Sequence, residues 1–411
     1  MAGCISCFGR FSSRKGTPGR KQGRAATPVV PPRPGDSSKW ATLPPDILST
    51  ITDRLPIPER VRVRAVCTTW FQSLEGPCPY FRDGRPHLMI NRYRDDGSDL
   101  RMARPLDGEW FSAPLLPTAA GKVWCVGHKD GWVVSVHDLD ITLFNPVTEE
   151  QVKFPRFYDM PGVDVKALPC VGKVVLSCTP TTSPGGVITA MALARDRNIA
   201  YAKSTDRNWT TIPVADDNVV RDFVYHNGLF CVLCSGPVDW EEDDDDEDIV
   251  RSYRRSNMSM LSFDESGYTS ISYKYVDRLE GGMLSLASSP TNDLLLVLGI
   301  PEEHSAKYSK FKIMMFQPTQ RNKWVQVEDL GEHCLLLDAV QSTLLPVADA
   351  AGLERNRVYL GGLYMSSTNE LVVTTGAFDV ATGASEPCFP STSPLETLHD
   401  VIPCWFTPIL S

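Results

Sequence analysis

The sequence lacks the features of membrane and secreted proteins. Its apolar runs are short, such as Leu294–Leu298, whereas a membrane helix needs about 20 apolar residues. The N-terminus lacks the apolar central region of a secretory signal. Twelve cysteines in 411 residues are too few for a disulfide scaffold. We therefore expect a protein without transmembrane segments, located inside the cell, with reduced thiols.

Sequence motifs of catalysis are missing as well. There is no Gly-x-Ser-x-Gly elbow, no His-Glu-x-x-His metal helix and no Gly-rich loop that ends in Gly-Lys-Ser or Gly-Lys-Thr. The seven histidines are dispersed along the chain. His128 and His226, which lie beside turns, are the least implausible candidates for a base. We predict that the chain is not an enzyme, has no catalytic residues and needs no cofactor.

Two Cys-x-x-Cys pairs, Cys4/Cys7 and Cys231/Cys234, are compatible at first sight with zinc. A structural zinc site, however, needs four convergent ligands. Cys231 and Cys234 lie in a strand-like run, in which positions three residues apart point to opposite faces. We therefore predict buried thiols in the core and no metal site.

Positive charge is concentrated in residues 1–39, which hold eight Lys/Arg and one acid, Asp36. The Gly, Ser, Pro and Arg content of this segment cannot bury enough apolar surface to offset the entropy of ordering. We predict a disordered basic tail over residues 1–39. Two other interpretations stay open: palmitoyl groups on Cys4 and Cys7, and an organelle transit peptide.

Negative charge is concentrated in Asp239–Asp248, where nine of ten residues are acidic. Such a block repels itself, so we expect a solvated loop; recruitment of a basic partner is a second interpretation. Because the formal net charge is −9 and the tail contributes +7, the other 372 residues carry −16. This balance argues against nucleic-acid binding by the folded part.

Residues 43–55 have the pattern of a short helix. Pro44 and Pro45 suit a first helical turn, and Asp46 lies where the helix dipole favours an acid. One apolar stripe is predicted at helical spacing: Ile47, Leu48, Ile51 and Leu55. The opposite face of the helix is expected to be polar, with Thr52 among its residues.

A second short helix is predicted to follow the prolines at 56 and 58. Val63, Val66, Cys67 and Trp70 continue at helical spacing, although the preceding residues alternate as in a strand. Two such helices have more apolar surface than they can cover by themselves. We therefore expect the unit to need a partner surface.

The run from Leu43 to Trp70 resembles an F-box, with its Leu-Pro start, its Val-Cys pair and a Trp three residues later. In that family the helices dock on a Skp-type adaptor. Two departures from the pattern are Thr68-Thr69 in place of a basic residue and Val61 in place of a commoner Leu. The resemblance implies that the adaptor interface or its support comprises Leu43, Pro44, Ile47, Leu48, Ile51, Leu55, Pro56, Val61, Val66, Cys67 and Trp70. The alternative is a helical hairpin packed on its own domain.

After Tyr80 the chain changes to short runs rich in Val, Leu, Phe, Tyr and Thr, separated by Gly, Pro, Asn and Asp, which is typical of strands and turns. Five strand–turn–strand units start 57, 62, 53 and 62 residues apart, at Phe144, Tyr201, Phe263, Phe316 and Phe378. Their spacing, with a mean near 58 residues, approaches the roughly 50 residues of a kelch-type propeller blade. A sixth, weaker unit surrounds residues 106–110.

The repeat predicts a propeller of five to seven blades, with a flat β-sandwich as the competing architecture. Inner strands are expected to follow turns such as Lys129–Trp132, His226–Leu229 and Glu280–Met283. The fold class is therefore an α+β multidomain protein. Its predicted parts are a disordered basic tail at 1–39, a small helical F-box at 40–84 and an all-β propeller-like domain at 85–411, with the acidic loop at 239–248.

The order of these elements resembles plant F-box proteins that carry the domain of unknown function 295. The resemblance rests on Gly131-Trp132 followed by Leu143–Pro146, on the segment Lys323–Gly331, and on the closing Trp405–Pro408. That family is thought to have a kelch-like propeller and to act mainly as receptors in ubiquitin ligases.

The resemblance implies a substrate-recognition subunit of an SCF-type cullin ubiquitin ligase. A Skp-type adaptor and a cullin scaffold are then the expected partners, together with a protein substrate that the sequence does not identify. The expected location is the nucleus or the cytoplasm, with organelle targeting by the tail as an alternative. The competing function is a propeller scaffold that works outside a ligase.

Overall fold

A computed structural model describes the following residues of the chain: 40, 43–52, 54–55, 63, 66–74, 86–94, 97–103, 105, 110–114, 123–146, 148, 150–158, 170–183, 185–194, 198–212, 214, 219–235, 258–264, 267–273, 283–289, 291–301, 308–317, 323–338, 340–350, 352–365, 371–389 and 403–407. Several predicted features lie wholly or partly outside these residues: the basic tail, Pro56, Val61, the acidic run at 239–248, the weaker sixth unit at 106–110 and the turn Glu280–Met283.

Two short helices stand at the N-terminal end of the described chain. Helix α1 spans Pro45–Thr52 and helix α2 spans Thr68–Ser73. Pro45 occupies the first helical position, where its missing N–H is not needed, and Asp46 lies in the first turn. Within the described residues no helix is long and apolar enough to cross a membrane.

The rest of the described chain is almost entirely β-structure. A single 3₁₀ turn, Val347–Asp349, interrupts it. The strands in chain order are β1 (His87–Arg94), β2 (Gly97–Ala103), β3 (Trp110–Pro114), β4 (Trp124–Lys129), β5 (Trp132–His137), β6 (Asp140–Phe144), β7 (Gln151–Lys153), β8 (Val171–Leu176), β9 (Thr189–Ala194), β10 (Ile199–Lys203), β11 (Thr210–Ile212), β12 (Val219–His226), β13 (Leu229–Ser235), β14 (Met258–Asp264), β15 (Gly267–Tyr273), β16 (Met283–Ser288), β17 (Leu294–Pro301), β18 (Tyr308–Gln317), β19 (Lys323–Val327), β20 (His333–Asp338), β21 (Ser342–Pro346), β22 (Arg357–Met365), β23 (Leu371–Asp379), β24 (Ser385–Glu386) and β25 (Pro403–Phe406).

These strands form the six blades of a propeller. Four separate sheets have the orders β25-β1-β2-β3, β4-β5-β6-β7, β8-β9-β10-β11 and β12-β13-β14-β15. A nine-stranded sheet joins the last two blades, β16–β19 and β20–β24, through a parallel pairing of β16 with β21. The count lies within the five to seven blades predicted from the repeat, and the propeller-like fold is confirmed.

The last strand closes the ring. Strand β25 is the innermost strand of the first blade and pairs antiparallel with β1, with Phe406 opposite His87. The first blade therefore combines β1, the strand that follows the F-box-like segment, with β25, the last described strand. We call the side of the propeller where β1 begins and β25 ends the entry face, and the other side the far face.

The sixth blade departs from the regular up-and-down order. Its strand β20 pairs parallel with β22, and the hairpin β20–β21 fills the position next to the axis. The two strands of this hairpin meet near Asp338. Parallel pairing between strands close in sequence is not what a repeat of simple strand–turn–strand units predicts.

The repeated units found in the sequence correspond to one position in the blades. Phe144, Tyr201, Phe263, Phe316 and Phe378 all lie in the third strand of a blade, at or near the turn to the fourth strand. The weaker sixth unit lies in the chain between β2 and β3, and of its residues the structure describes Trp110, the first residue of β3. The prediction for inner strands is wrong at two turns, because inner strands β4 and β12 precede Lys129–Trp132 and His226–Leu229. Asp130-Gly131 and Asn227-Gly228 have positive φ and form hairpin turns, and turn chemistry alone does not tell which flanking strand lies inside.

The apolar core lies between neighbouring blades. Each of five hydrophobic clusters draws buried side chains from two adjacent blades. Strand β13 shows the arrangement: Cys234 belongs to the cluster towards the third blade, and Cys231 to the cluster towards the fifth. The third to sixth blades are thus apolar on both faces, which explains why their strands read as continuous apolar runs.

Two buried carboxylates connect the inner strands around the axis. Asp222 on β12 binds the Lys173 ammonium of β8 at 2.5 Å and accepts hydrogen bonds from the Ser285 hydroxyl and the Leu286 N–H of β16 at 2.9 and 2.6 Å. Ser285 in turn lies 2.8 Å from the hydroxyl of Ser342 in β21. Because a buried charge is costly without partners, this saturated network holds four inner strands in one arrangement.

Asp338 completes the connection on the other side of the axis. Its Oδ1 accepts the N–H groups of Val340 and Gln341 at the tip of the β20–β21 hairpin, at 2.7 and 2.6 Å. Its Oδ2 accepts the Trp405 N–H of the closing strand at 2.6 Å and lies 3.3 Å from Nε2 of His128 in β4. One carboxylate therefore joins the sixth, first and second blades.

Three successive inner strands carry a β-bulge. The extra residues are Val126 in β4, Gly172 in β8 and Arg221 in β12. The residues after the last two bulges are Lys173 and Asp222, the ion pair of the axial network. A bulge re-aims the following side chain, so these bulges help to bring the two charges together.

Gly127, which follows the first bulge, provides a test of inner-strand packing. A Cβ at this position would lie 2.2 Å from the carbonyl oxygen of Val174 in β8, whereas a Cβ at Gly172 meets nothing within 4 Å. We predict that Gly127→Ala lowers the free energy of unfolding by about 1–3 kcal/mol because β4 and β8 must move apart. The matched control Gly172→Ala should change it by less than about 0.5 kcal/mol. Urea denaturation of both variants measures the difference, and equal midpoints would contradict the packing described.

Candidate functional sites

An apolar surface is exposed on the segment that contains the two helices. Five large apolar side chains among the described residues are exposed, and four of them lie between residues 40 and 66. They are Trp40, Val66, Ile47 and Ile51, with 64, 61, 46 and 41% of their surface exposed. Four exposed large apolar side chains in so short a segment are typical of a protein–protein interface.

Helix α1 separates its apolar residues into two faces. Leu48 and Thr52, four residues apart, are buried, whereas Ile47 and Ile51 face solvent. Thr52 was expected on the polar face, so that prediction is wrong. Its hydroxyl donates to the Leu48 carbonyl at 2.7 Å, which satisfies the buried polar group within the helix.

Trp70 of α2 is held against the start of the segment. Its indole Nε1–H donates to the Trp40 carbonyl at 2.7 Å, and its backbone N–H donates to Sγ of Cys67 at 3.5 Å. The Leu43 N–H also donates to the Trp40 carbonyl, at 3.3 Å. These bonds fix the backbone at Trp40 while its indole stays exposed.

The predicted interface residues that the structure describes are buried, half-buried or exposed. Leu48 is buried and supports the unit from inside. The exposed residues are Pro44, Ile47, Ile51 and Val66, and the half-buried ones are Leu43, Leu55, Cys67 and Trp70. Two of the predicted residues, Pro56 and Val61, lie outside the described part of the chain. Trp40 was missed in the sequence, although a large aromatic residue just before the Leu-Pro start could have indicated it.

Cys231 and Cys234 are buried on opposite sides of strand β13, as predicted from their spacing. Burial raises the pKa of each thiol to about 11. Within the described residues no group of three or more His, Cys, Asp and Glu side chains could hold a metal ion. The pair is part of the core.

A pocket of about 360 Å³ opens on the axis at the entry face. It lies where the inner strands β4, β12, β16 and β25 end and where β21 begins. Five of the six blades contribute lining residues. Because the contributing segments are far apart in sequence, their convergence could not be predicted from the sequence. Axial pockets built from several blades are concave, preformed sites of a size suited to small ligands or peptides.

The two histidines singled out in the sequence lie at or near this pocket. His128 lines it and is bound to Asp338 behind it. Nδ1 of His226 lies 2.9 Å from the hydroxyl of the lining residue Ser288. Burial lowers the pKa of His226, an effect that the nearby Asp293 partly opposes. The His128 ring is therefore part of the pocket lining, whereas His226 contacts the lining only through Ser288.

The acidic run is flanked by strand ends at the far face. It lies between β13 and β14, where Ser235 pairs with Met258. Ser235 also pairs with Val219 at the start of β12, and β12 ends at the axial pocket. The acidic run and the F-box-like segment are consequently attached to opposite faces of the propeller.

Two family models match the chain. Residues 104–379 match the family described as KIB1-4 beta-propeller, which is more than half of the chain. Residues 40–79 match the family described as F-box-like, and this match begins at Trp40. Together they cover both the exposed apolar surface and most of the propeller.

Similar proteins agree with this division. The chain is 20% identical over 367 residues to "Putative F-box protein At4g17565" of Arabidopsis thaliana, which covers 85% of this chain and 90% of that one. It is 25% identical over 211 residues to "F-box protein At3g56470" of the same organism, covering 47 and 51%. Among solved structures, the tricorn protease gives a TM-score of 0.35 at 11% identity over 76% of this chain and 30% of that chain.

The buried cysteines lead to a prediction about thiol reactivity. Because only the thiolate attacks iodoacetamide and the pKa of Cys231 and Cys234 is about 11, both should stay unmodified in the folded protein at pH 8. The half-buried Cys178 should be alkylated before either of them. Mass spectrometry of peptides after timed labelling measures the order. Equal labelling of all three residues under native conditions would contradict the burial of the pair.

Proposed function

The chain belongs to the KIB1-4 β-propeller family and carries an F-box-like segment, and from this premise we propose that it is a substrate-recognition subunit of an SCF-type cullin ubiquitin ligase. The F-box-like segment binds a Skp-type adaptor, which links it to the cullin scaffold. The propeller binds a protein substrate. The chain contributes no catalytic group of its own.

The observation that carries this proposal is the exposed apolar surface of the F-box-like segment. Trp40, Ile47, Ile51 and Val66 together leave a large apolar area in water on a unit with only two described helices. Covering such an area releases about 25 cal/mol per Å² of hydrophobic free energy. An exposed Trp beside branched aliphatic side chains is also the composition found in interface hot spots. The surface is thus suited to a permanent partner.

The half-buried and buried residues of the segment act as support. Leu48 packs inside the unit, and Trp70 is fixed through its indole bond to the Trp40 carbonyl. Substitutions at these positions are expected to disturb the segment itself, not only its contact. The roles of Pro56 and Val61 at the interface stay predictions from the resemblance to the F-box.

Such a receptor acts by proximity. Binding the substrate on the propeller and the adaptor on the F-box-like segment raises the local concentration of substrate lysines near a recruited ubiquitin-conjugating enzyme. The rate enhancement comes from converting an encounter into a reaction within one complex. The kelch-like character assigned by resemblance to the domain of unknown function 295 stays a prediction, as do a location in the nucleus or cytoplasm and the absence of nucleic acid among the partners.

A propeller scaffold outside a ligase is the second candidate function. A pull-down of the full chain with a Skp-type adaptor and a cullin separates the two. Retention of both proteins supports the receptor. Failure to retain a Skp-type adaptor would favour the scaffold, with the exposed apolar surface covered by another partner.

Charge substitutions in the apolar surface test the proposed interface directly. We predict that Ile47→Asp and Val66→Asp each lower affinity for a Skp-type adaptor at least about tenfold, because a carboxylate loses its hydration in the interface without gaining a partner. Thermal stability should change little, since both side chains are already exposed. Calorimetric titration of the full chain with the adaptor measures the loss.

Val187→Asp is the matched control. Val187 is 40% exposed, but it lies in the propeller between β8 and β9. The same change there should leave adaptor affinity as in the wild type. Wild-type affinity in Ile47→Asp and Val66→Asp, or an equal loss in Val187→Asp, would show that the adaptor does not use this surface.

A further inference from the structure

The axial pocket contains polar side chains whose hydrogen-bonding capacity is not used. Among the described residues, the Gln341 amide, the Thr343 hydroxyl and the Thr407 hydroxyl line the pocket without a side-chain partner. They come from the hairpin of the sixth blade and from the end of the closing strand. Such convergent, unused groups in a concave site are what a bound ligand requires.

Other polar groups of the pocket are already saturated. The Ser289 hydroxyl bonds Thr291 and Asp293, and the Ser342 hydroxyl bonds Ser285. His128 is engaged with Asp338. These groups make a rigid floor and wall, so the open positions above them are held in place before any ligand arrives.

Lys129 adds a positive charge to the same pocket. Its Nζ lies 5.9 Å from the centre of the Tyr225 ring, a cation–π contact, and it forms no ion pair with any described residue. The ring holds the ammonium against the pocket wall without neutralising it. An ammonium in this position, next to hydroxyl and amide donors, favours an anionic group of a ligand.

Asp130 is the one carboxylate among the lining residues. It occupies the tip of the β4–β5 turn, with φ of 46°. Among the described residues its carboxylate forms no ion pair with Lys129. It weakens the attraction for an anion but leaves the ammonium as the charge fixed to the wall.

We infer that the axial pocket binds a short peptide segment with an acidic side chain, whose carboxylate pairs with Lys129. Gln341, Thr343 and Thr407 then bond the peptide backbone, and Leu345 and Phe406 supply apolar contact. A volume of about 360 Å³ accommodates a few residues rather than a folded domain. The assignment of this peptide to a ubiquitination substrate rests on the proposed function. The binding of an acidic peptide in the pocket is independent of that function.

The position of the pocket has a consequence for such a complex. It opens at the entry face, where His87 begins the propeller after the F-box-like segment. A peptide in the pocket is therefore bound on the face of the propeller where β1, the first strand after the F-box-like segment, begins. The far face, with the flanks of the acidic run, remains available for a different contact.

A peptide array tests the inference. The probe is the labelled full-length chain on arrayed octapeptides that include acidic, basic, neutral and phosphoserine versions of each sequence. The wild type should enrich peptides with Asp or Glu. Lys129→Ala should lower the affinity for the best acidic peptide at least about tenfold, and Lys129→Glu should shift the enrichment to peptides with Lys or Arg. Preference for phosphoserine over Glu would identify phosphate as the anion at the same position.

Two controls separate the pocket from general charge effects. Lys312→Ala removes an exposed lysine of β18, away from the pocket, and should leave the enrichment unchanged. Asp130→Asn keeps a residue that tolerates the left-handed turn and should strengthen acidic binding slightly. All variants should melt at the wild-type temperature, because Lys129 makes no buried ion pair.

The outcomes are decisive for the pocket. No enriched peptide, or the same acidic enrichment in Lys129→Glu as in the wild type, would overturn the inference. Adaptor binding is measured separately by titration. A chain that selects acidic peptides without binding a Skp-type adaptor would keep the pocket and remove the ligase proposal, whereas the reverse result would keep the ligase and remove the pocket.

Discussion

The Asp338 carboxylate is the contact on which the rest of the propeller depends. It is buried, and it accepts from two N–H groups of the sixth-blade hairpin and from the Trp405 N–H of the closing strand, with His128 of the second blade at 3.3 Å. A buried carboxylate is stable only when such partners surround it. Its position therefore fixes where β25 closes the ring, and through the pairing of Phe406 with His87 it fixes where the F-box-like segment is attached.

The same constraint shapes the axial pocket. His128 lies in the pocket floor and Gln341 in its wall, and both contact Asp338 directly. On the opposite side of the axis, Asp222 binds Lys173, Ser285 and Leu286 in the same manner. The saturated groups make the floor rigid, and the unsaturated groups above it are left for a ligand. Closure of the ring and formation of the pocket are thus two results of one network.

The propeller and the F-box-like segment differ in how their apolar side chains are covered. In the propeller, the faces of neighbouring blades cover each other, so residues such as Trp132 and Trp405 are almost fully buried. The F-box-like segment has too few residues to do this, and Ile47 and Val66 remain in water. Dependence on a partner is therefore a consequence of the segment's size.

The successful predictions depended on residues that are close together in the sequence. Helix α1 follows from Pro45 and Asp46, the hairpin at Asn227-Gly228 from its turn residues, and the burial of Cys231 and Cys234 from strand periodicity. Two predictions that depended on tertiary placement were wrong. The repeat did not tell which strand lies at the axis, and the helical wheel did not show that Thr52 packs inwards, because both are decided by distant parts of the chain.

The irregular sixth blade and the axial pocket could not be predicted from the sequence for the same reason. The parallel pairing of β20 with β22 departs from the regular strand–turn–strand repeat, and the axial pocket brings together Lys129 and Gln341, which are far apart in the chain. No spacing or composition signals such contacts. The bulges before Lys173 and Asp222 likewise show only in the strand register.

Amide hydrogen exchange of the full chain, alone and with a Skp-type adaptor, tests the central claim most directly. We predict that exchange slows in the residues from Leu43 to Leu74 when the adaptor is present, because their backbone becomes covered and less able to open. Exchange in the six blades should not change. Unaltered exchange from Leu43 to Leu74 at saturating adaptor, or protection confined to the propeller, would contradict an adaptor-binding role for this segment.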